Sequence, residues 1–284
     1  MSLCLLTMFK NESHIMKEFI SHYLKQGVDH FIMIDNGSND NYLEMLTPYL
    51  SYINLIIDTE KHAQIKCYNK QKELCKKYDW VIVCDMDEFI YARKDFKTIK
   101  QYLCTLDDSI SQVLIPWKIF GSNGYNTINQ SQPESVIQHF TKRINYNKSH
   151  GFQGVIKQNE NKYSFVKSIV RTKYLIEFRV HSHITNNIII SSDHNKDFIE
   201  DSQFSKINEN ILENSYLHLN HYPIQSFEWF MRIKATRGDV HSNDTEYVRN
   251  ESYFYSFDSV SNDIVDLELS NIHYENIMYC SMSF

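Results

Sequence analysis

One segment of this 284-residue chain holds most of its chemical information: Trp80-Val81-Ile82-Val83-Cys84-Asp85-Met86-Asp87-Glu88-Phe89. An apolar run of strand length delivers three carboxylates at its carboxyl end. In extended backbone, residues two apart project to the same side, roughly 6–7 Å from one another. Asp85 and Asp87 can then address one hard divalent cation together, directly or through water. Oxygen donors of this kind suit Mg2+ or Mn2+, which commonly share their shell with substrate phosphates. The tripeptide alone decides little. With 18 Asp in the chain, about one Asp-x-Asp arises by chance, and a solvated turn with a helix-capping Asp is the competing explanation. Its place directly after a buried strand is what favours a metal.

A strand that presents such a site needs a sheet around it, and the first hundred residues predict one. Leu3–Met8 reads as a strand. Capping character at Lys10-Asn11-Glu12-Ser13 precedes an amphipathic helix over His14–Gln26, with Gly27 where that helix would stop. A second strand over His30–Asp35 ends in a dense turn cluster, Asp35-Asn36-Gly37-Ser38-Asn39-Asp40. A short helix follows over Asn41–Leu50, a third strand over Ile53–Asp58, a helix over His62–Tyr78 and a fourth strand over Trp80–Cys84. Strands alternating with helices predict a mostly parallel α/β sheet with right-handed crossovers, whose ligands sit at the carboxyl ends of the strands. Those ends offer Asn11-Glu12, Asp35-Asn36 and Asp85-Met86-Asp87.

The middle of the chain is less regular. Strands are expected over Val113–Phe120, Ser135–Thr141, Tyr163–Arg171, Ile176–His181, Asn187–Ser191 and Ser215–Tyr222. A helix is expected over Ile224–Arg237, and Asn145–Asn161 is polar enough to read as a mobile loop. The last forty residues or so show no clear periodicity. With no repeat or linker, the expectation is one domain over 1–240 and a C-terminal extension over 241–284 packed on it.

Composition narrows the function classes. With 35 acidic against 29 basic residues and a net charge of −6, general electrostatic nucleic-acid binding is not the main task. No run of 18 apolar residues exists, and no basic leader precedes the apolar start Met1–Phe9. No transmembrane segment, signal peptide or anchor is therefore expected, and the expected location is cytoplasmic or intracellular. The six cysteines, at 4, 67, 75, 84, 104 and 280, lack any paired spacing. Free thiols in a reducing compartment are expected rather than a disulfide framework or a zinc ribbon.

Several spaced blocks resemble a known group. Thr7-Met8-Phe9-Lys10-Asn11-Glu12, Tyr23-Leu24, Gly27-Val28-Asp29-His30, Asp35-Asn36-Gly37-Ser38-Asn39-Asp40 and Asp85-Met86-Asp87-Glu88-Phe89 are similar, in this order, to the glycosyltransferase family 2-like group and the related family 92. Downstream, Trp117-Lys118-Ile119-Phe120-Gly121-Ser122-Asn123-Gly124, Lys167-Ser168-Ile169-Val170-Arg171 with His181, and Asn220-His221-Tyr222, Ser226, Phe230, Lys234 and Arg237-Gly238 continue the resemblance, which covers residues 3–240.

The resemblance implies a GT-A-type, Rossmann-like nucleotide-sugar-binding fold. It also implies metal-dependent transfer of a sugar, with inversion, from a nucleotide-diphosphate sugar, a UDP-sugar being favoured, to a hydroxyl of a glycan, protein or small-molecule acceptor. By the same resemblance, Thr7, Asn11, Glu12, Asp35, Asn36 and Asp85 would lie near the nucleotide. Asp85 and Asp87 would hold Mn2+ or Mg2+, with His221 as the third ligand and His181 as the competing choice among 13 histidines. Lys234 and Arg237 would reach the diphosphate, and Trp117, Phe120, Gly121 and Asn123 would line the sugar or acceptor pocket. Each also has a plain structural explanation: a cap for Asn11, turn chemistry for Asp35-Asn36, core packing for Trp117 and Phe120, a solvated face for Lys234 and Arg237. Inversion needs a carboxylate base. Glu88, Glu134 and Glu177 are candidates, and none is singled out.

Two alternatives stand beside this expectation. A sugar-phosphate nucleotidyltransferase would bring a Gly-rich phosphate loop near the amino terminus, and Phe9-Lys10-Asn11-Glu12 contains no Gly. A non-catalytic nucleotide- or sugar-binding protein of the same fold would have no need of both aspartates.

Overall fold

The computed structural model describes residues 1–127, 135–148, 154–237 and 249–272. Four short apolar runs form the parallel half of one large sheet: β1 (Leu3–Phe9), β2 (His30–Asp35), β3 (Ile53–Ile57) and β4 (Trp80–Val83), in the order β3-β2-β1-β4. β1 and β4 are buried along nearly their whole length, as parallel strands covered on both faces must be. The helix Ser13–Lys25 turns Ile15, Met16, Phe19, Ile20 and Tyr23 onto this sheet. It stops at Gly27, whose φ of +90° favours glycine. A Cβ there would also stand 2.7 Å from Cβ of Lys100.

The sheet continues through β5 (Glu88–Ala92), β6 (Ile110–Ile119), β7 (Asn161–Arg171), β8 (Ile188–Ser191) and β9 (Leu217–His221). Beyond β4 the order is β7-β6-β9-β5, with β8 on β6. β7 runs antiparallel to both β4 and β6, and β5 antiparallel to β9. The expected α/β architecture is present, with a largely parallel sheet, but β7, from late in the chain, enters between β4 and β6.

Several expectations for the middle fail for local reasons. Ser135–Thr141 is not a strand: Val136–His139 is helical, because Ser135 Oγ caps Gln138 N–H and the Glu18 carboxylate accepts Val136 N–H at 2.8 Å. The strand expected over Ile176–His181 shrinks to Leu175–Glu177, since the Asn69 amide takes both the N–H and the C=O of Phe178. The His62–Tyr78 helix splits at Gln71 into Gln64–Lys70 and Lys72–Cys75. The Ile224–Arg237 helix is confined to Phe227–Arg232, with a 3-10 turn over Lys234–Thr236. Within the polar segment 145–161, Val155–Gln158 pairs with β7, while 149–153 lie outside the described residues. Cys4, Cys67, Cys75, Cys84 and Cys104 are free thiols; Cys280 lies outside the described residues.

The described C-terminal residues pack on this body. The helix Glu251–Asp258 sets Phe254 and Phe257 against Ile224 and Phe230, and Ile264–Val265 pairs with Lys142–Arg143. Beyond it, Asp266 meets Lys118 of β6 at 2.8 Å and Arg143 at 2.7 Å. Burial alone would raise the Asp266 carboxyl, but these cations pull it down to about 2. A carboxyl lowered on folding adds stability above its unfolded pKa of about 3.9 and loses it as pH falls toward its folded value, here on the order of 2 kcal/mol. Urea midpoints at pH 5 and pH 2.5 should therefore draw together in Asp266→Asn relative to the unchanged protein.

Candidate functional site

An open cleft of about 380 Å3 lies at the carboxyl ends of β1 to β4. Its wall includes Phe9 at the end of β1 with Lys10 after it, Asn36 after β2, Glu60 to Gln64 after β3 and Asp85 to Asp87 after β4, facing Lys234, Arg237 and Arg249. A volume of this size falls in the usual range for small-molecule sites.

The two aspartates share the cleft for a different reason from the expected one. They stand in a tight turn between β4 and β5, not on extended backbone: Glu88 N–H donates to Asp85 C=O at 3.1 Å, and Tyr222 N–H to Asp87 C=O at 2.9 Å. Glu88 is buried behind them and accepts Asp85 N–H at 2.8 Å. Burial raises its carboxyl well above the usual range, against the pull of the Lys167 ammonium 3.6 Å away.

Each aspartate has its own lysine. Asp85, about a third exposed (36%), takes Gln64 Nε2 on one oxygen at 3.0 Å and Lys167 Nζ on the other at 2.9 Å. Burial opposes its ionisation, but the Lys167 ammonium outweighs that and holds the carboxyl low. Asp87 is almost fully buried, and its Oδ2 is ion-paired with Lys234. Burial works against its charge too, and Lys234 above all leaves it well below the carboxylate range. Its Oδ1 faces His221 Nε2 at 3.8 Å, too far for a hydrogen bond. Burial pushes His221 down to about 4, so the ring is neutral, and among the described residues its buried Nδ1 has no hydrogen-bond partner.

These residues bear on the implied metal. Among the described residues no group of three or more His, Cys, Asp or Glu is gathered as a metal cluster. The donors that do converge, a carboxylate oxygen and a neutral imidazole, fit Mn2+ or Mg2+ held by few protein ligands and completed by phosphate oxygens and water. His181 is placed otherwise: it lies flat on Phe165 at 4.2 Å, with Nδ1 at 3.1 Å from Val166 C=O.

The remaining expected residues divide between the cleft and its scaffold. Asn36 lines the cleft while its amide donates to Asp58 and Glu60 carbonyls. Asp35 accepts Ser38 N–H and the Tyr42 hydroxyl, which is turn chemistry. Asn11, at φ +54°, accepts Asn39 N–H on its side chain and so ties the ends of β1 and β2 together. Glu12 lines the cleft and pairs with Arg237, which also donates to Asn11 C=O at 2.7 Å. Thr7 is buried in β1, its hydroxyl without a partner among the described residues. Trp117 packs at a tilt against His221 with ring centroids 4.2 Å apart, Phe120 is core, and Asn123 fastens the Thr141-Lys142 backbone. Gly121 admits the C-terminal segment: a Cβ there would meet Asn262 Oδ1 at 2.6 Å. Glu177 does not line the cleft, and Glu134 lies outside the described residues.

The model of glycosyltransferase family 92 matches residues 1–252. The chain belongs to glycosyltransferase family 92. A curated relative, glycosyltransferase family 92 protein Os08g0121900 of Oryza sativa subsp. japonica, is 27% identical over 97 residues, 32% of this chain. The matched stretch spans about a sixth of that relative's length (16%). Among solved structures, S. aureus TarS 1-349 is similar with a TM-score of 0.43 at 16% identity, over 83% of this chain and 64% of that one. GalNAc-T7 with UDP, GalNAc and Mn2+ is similar with a TM-score of 0.37 at 12% identity, over 61% and 35%. The parallel half-sheet with an acid-tipped β4 is the α/β arrangement expected from the sequence of this family 92 chain.

Sequence reasoning missed Lys167, Gln64 and Arg249 as parts of the site. Lys167 had a signal: a lone Lys inside the apolar stretch of β7, fully buried, requires an anion beside it. Gln64 and Arg249 had none, being common residue types on a short helix and a coil.

Proposed function

We propose that the chain transfers a glycosyl group from a nucleoside-diphosphate sugar, a UDP-sugar being favoured, to an acceptor hydroxyl with inversion at the sugar. The observation that carries this is the cleft itself: Asp85 and Asp87 at the tip of a central strand, opposite Lys234, Arg237 and Arg249. Asp87 and His221 would hold Mn2+ or Mg2+, which when bound supplies Lewis-acid stabilisation of the leaving diphosphate. Lys234 and Arg237 would donate to diphosphate oxygens and stabilise the same charge as it develops. Asp85, fixed by Gln64 and Lys167, would accept from donor hydroxyls with the lone pairs these two leave open, and Asn36 would border the nucleoside. The acceptor would enter from the side of Trp117. Glu88 is unsuited as the base, because it is enclosed and engaged with Asp85 N–H. Among the described residues, no helix is long and apolar enough to cross a membrane.

Thermal melting of the full chain with UDP and Mn2+ tests this reading. At 100 times Kd a ligand adds about 2.7 kcal/mol to the folded state, so a rise of several degrees is expected, larger with both than with either alone. Incubation with a panel of nucleotide sugars should release nucleoside diphosphate, not pyrophosphate. Neither melting shift nor turnover across the panel would overturn the assignment.

A further inference from the structure

We propose that the Lys234 ammonium occupies the cation position at Asp87 in the ligand-free protein, so that a divalent ion enters only by displacing it. This rests on the reading of Asp87 as the metal-side carboxylate. The two aspartates are neutralised by lysines of very different kinds. Lys167 is fully buried in β7, with Asp85 at 2.9 Å, Val180 C=O at 3.1 Å and Glu88 at 3.6 Å. Moving it would strand a charge in the core, so it is a permanent counter-ion. Lys234 sits on a 3-10 turn at the cleft rim, its side chain 13% exposed. Its one hydrogen bond among the described residues goes to Asp87. Four flexible methylenes and an outlet to the cleft let it leave.

The exchange has a consequence in charge. With Lys234 in place, an arriving dication meets a like charge at the carboxylate it needs. With Lys234 released, the ammonium faces that dication together with Arg237 and Arg249, which line the same cleft. A diphosphate resolves both conditions, since its oxygens take the ammonium and complete the metal shell. Metal alone should therefore bind weakly, and metal and nucleoside diphosphate should each strengthen the other by the same factor. Asp85 does not take part in the exchange, because both of its oxygens stay engaged.

Titrating the full chain with Mn2+, followed by the loss of the free-ion EPR signal, reads this directly. Without nucleotide, Lys234→Met should bind Mn2+ on the order of tenfold tighter than the unchanged protein, within the usual range of coupling between sites. Lys234→Gln serves the same purpose if the Met variant does not stay folded. Lys10→Met removes one positive charge from the same cleft and should give no comparable gain, while Lys234→Arg keeps the competitor and should give none. No gain in Lys234→Met and Lys234→Gln, or an equal gain in Lys10→Met, overturns the exchange. A parallel titration with UDP separates the two claims: UDP binding with Mn2+ but no gain on losing Lys234 refutes the exchange and leaves the proposed function standing. A gain without any UDP binding supports the exchange and removes the proposed function.

Discussion

Asp87→Asn should lower sugar transfer at least about a thousandfold while leaving the protein folded. A bound metal supplies several kcal/mol of charge stabilisation to a departing diphosphate, and each 1.36 kcal/mol is a factor of about ten in rate. The substitution keeps the shape of the side chain and removes the charge that would draw the ion. Lys234, its partner, has access to the cleft and can find solvent, so the melting temperature should move little. The loss should appear in turnover and in the Mn2+ dependence of UDP binding together. A variant that keeps more than a tenth of the wild-type turnover would remove Asp87 from the chemistry.

The largest effect on stability is expected at a residue outside the cleft lining, in Lys118→Met. Lys118 is 1% exposed in β6, and its Nζ lies 2.8 Å from Asp266, 3.7 Å from Glu268, 2.9 Å from the Tyr91 hydroxyl and 3.2 Å from His218 Nδ1. Removing one partner of a buried ion pair typically costs about 3–5 kcal/mol, because the carboxylates left behind lose their compensation. In a chain of this size that lowers Tm by on the order of 10 °C. Arg143 and Arg93 still hold Asp266 and Glu268, which places the expected value toward the lower end. Urea unfolding of the two proteins measures it, and a change below about 1 kcal/mol would mean that water already reaches this cluster.

The parts of the fold that could be foreseen are those where burial and local sequence say the same thing. β1, β2 and β4 are short apolar runs bounded by turn residues, and the Ser13–Lys25 helix has an apolar stripe with Gly27 at its end. β5 was not foreseen, because Glu88–Ala92 follows the acidic turn without any break signal. The helix Val136–His139 escaped because its cap is completed by Glu18, 118 residues away in sequence. The site divides in the same manner. Asp85 and Asp87 could be singled out from residue type and position, whereas what Asp85 and Asp87 contact could not. Lys167 and Lys234 reach them across 82 and 147 positions, a relationship that only the folded sheet creates.

The insertion of β7 beside β4 also constrains how this chain can be made. As it leaves the ribosome, the Trp80–Val83 backbone can join β1 at once, but its opposite edge waits for residues 168–171. At roughly 5–20 residues per second, that delay is about 4–18 seconds. For that interval a hydrophobic ribbon ending in two acids has one open flank, a template onto which any passing extended peptide could align. Slowing translation between residues 84 and 168 should accordingly raise aggregation of the nascent protein more than a pause placed after β7.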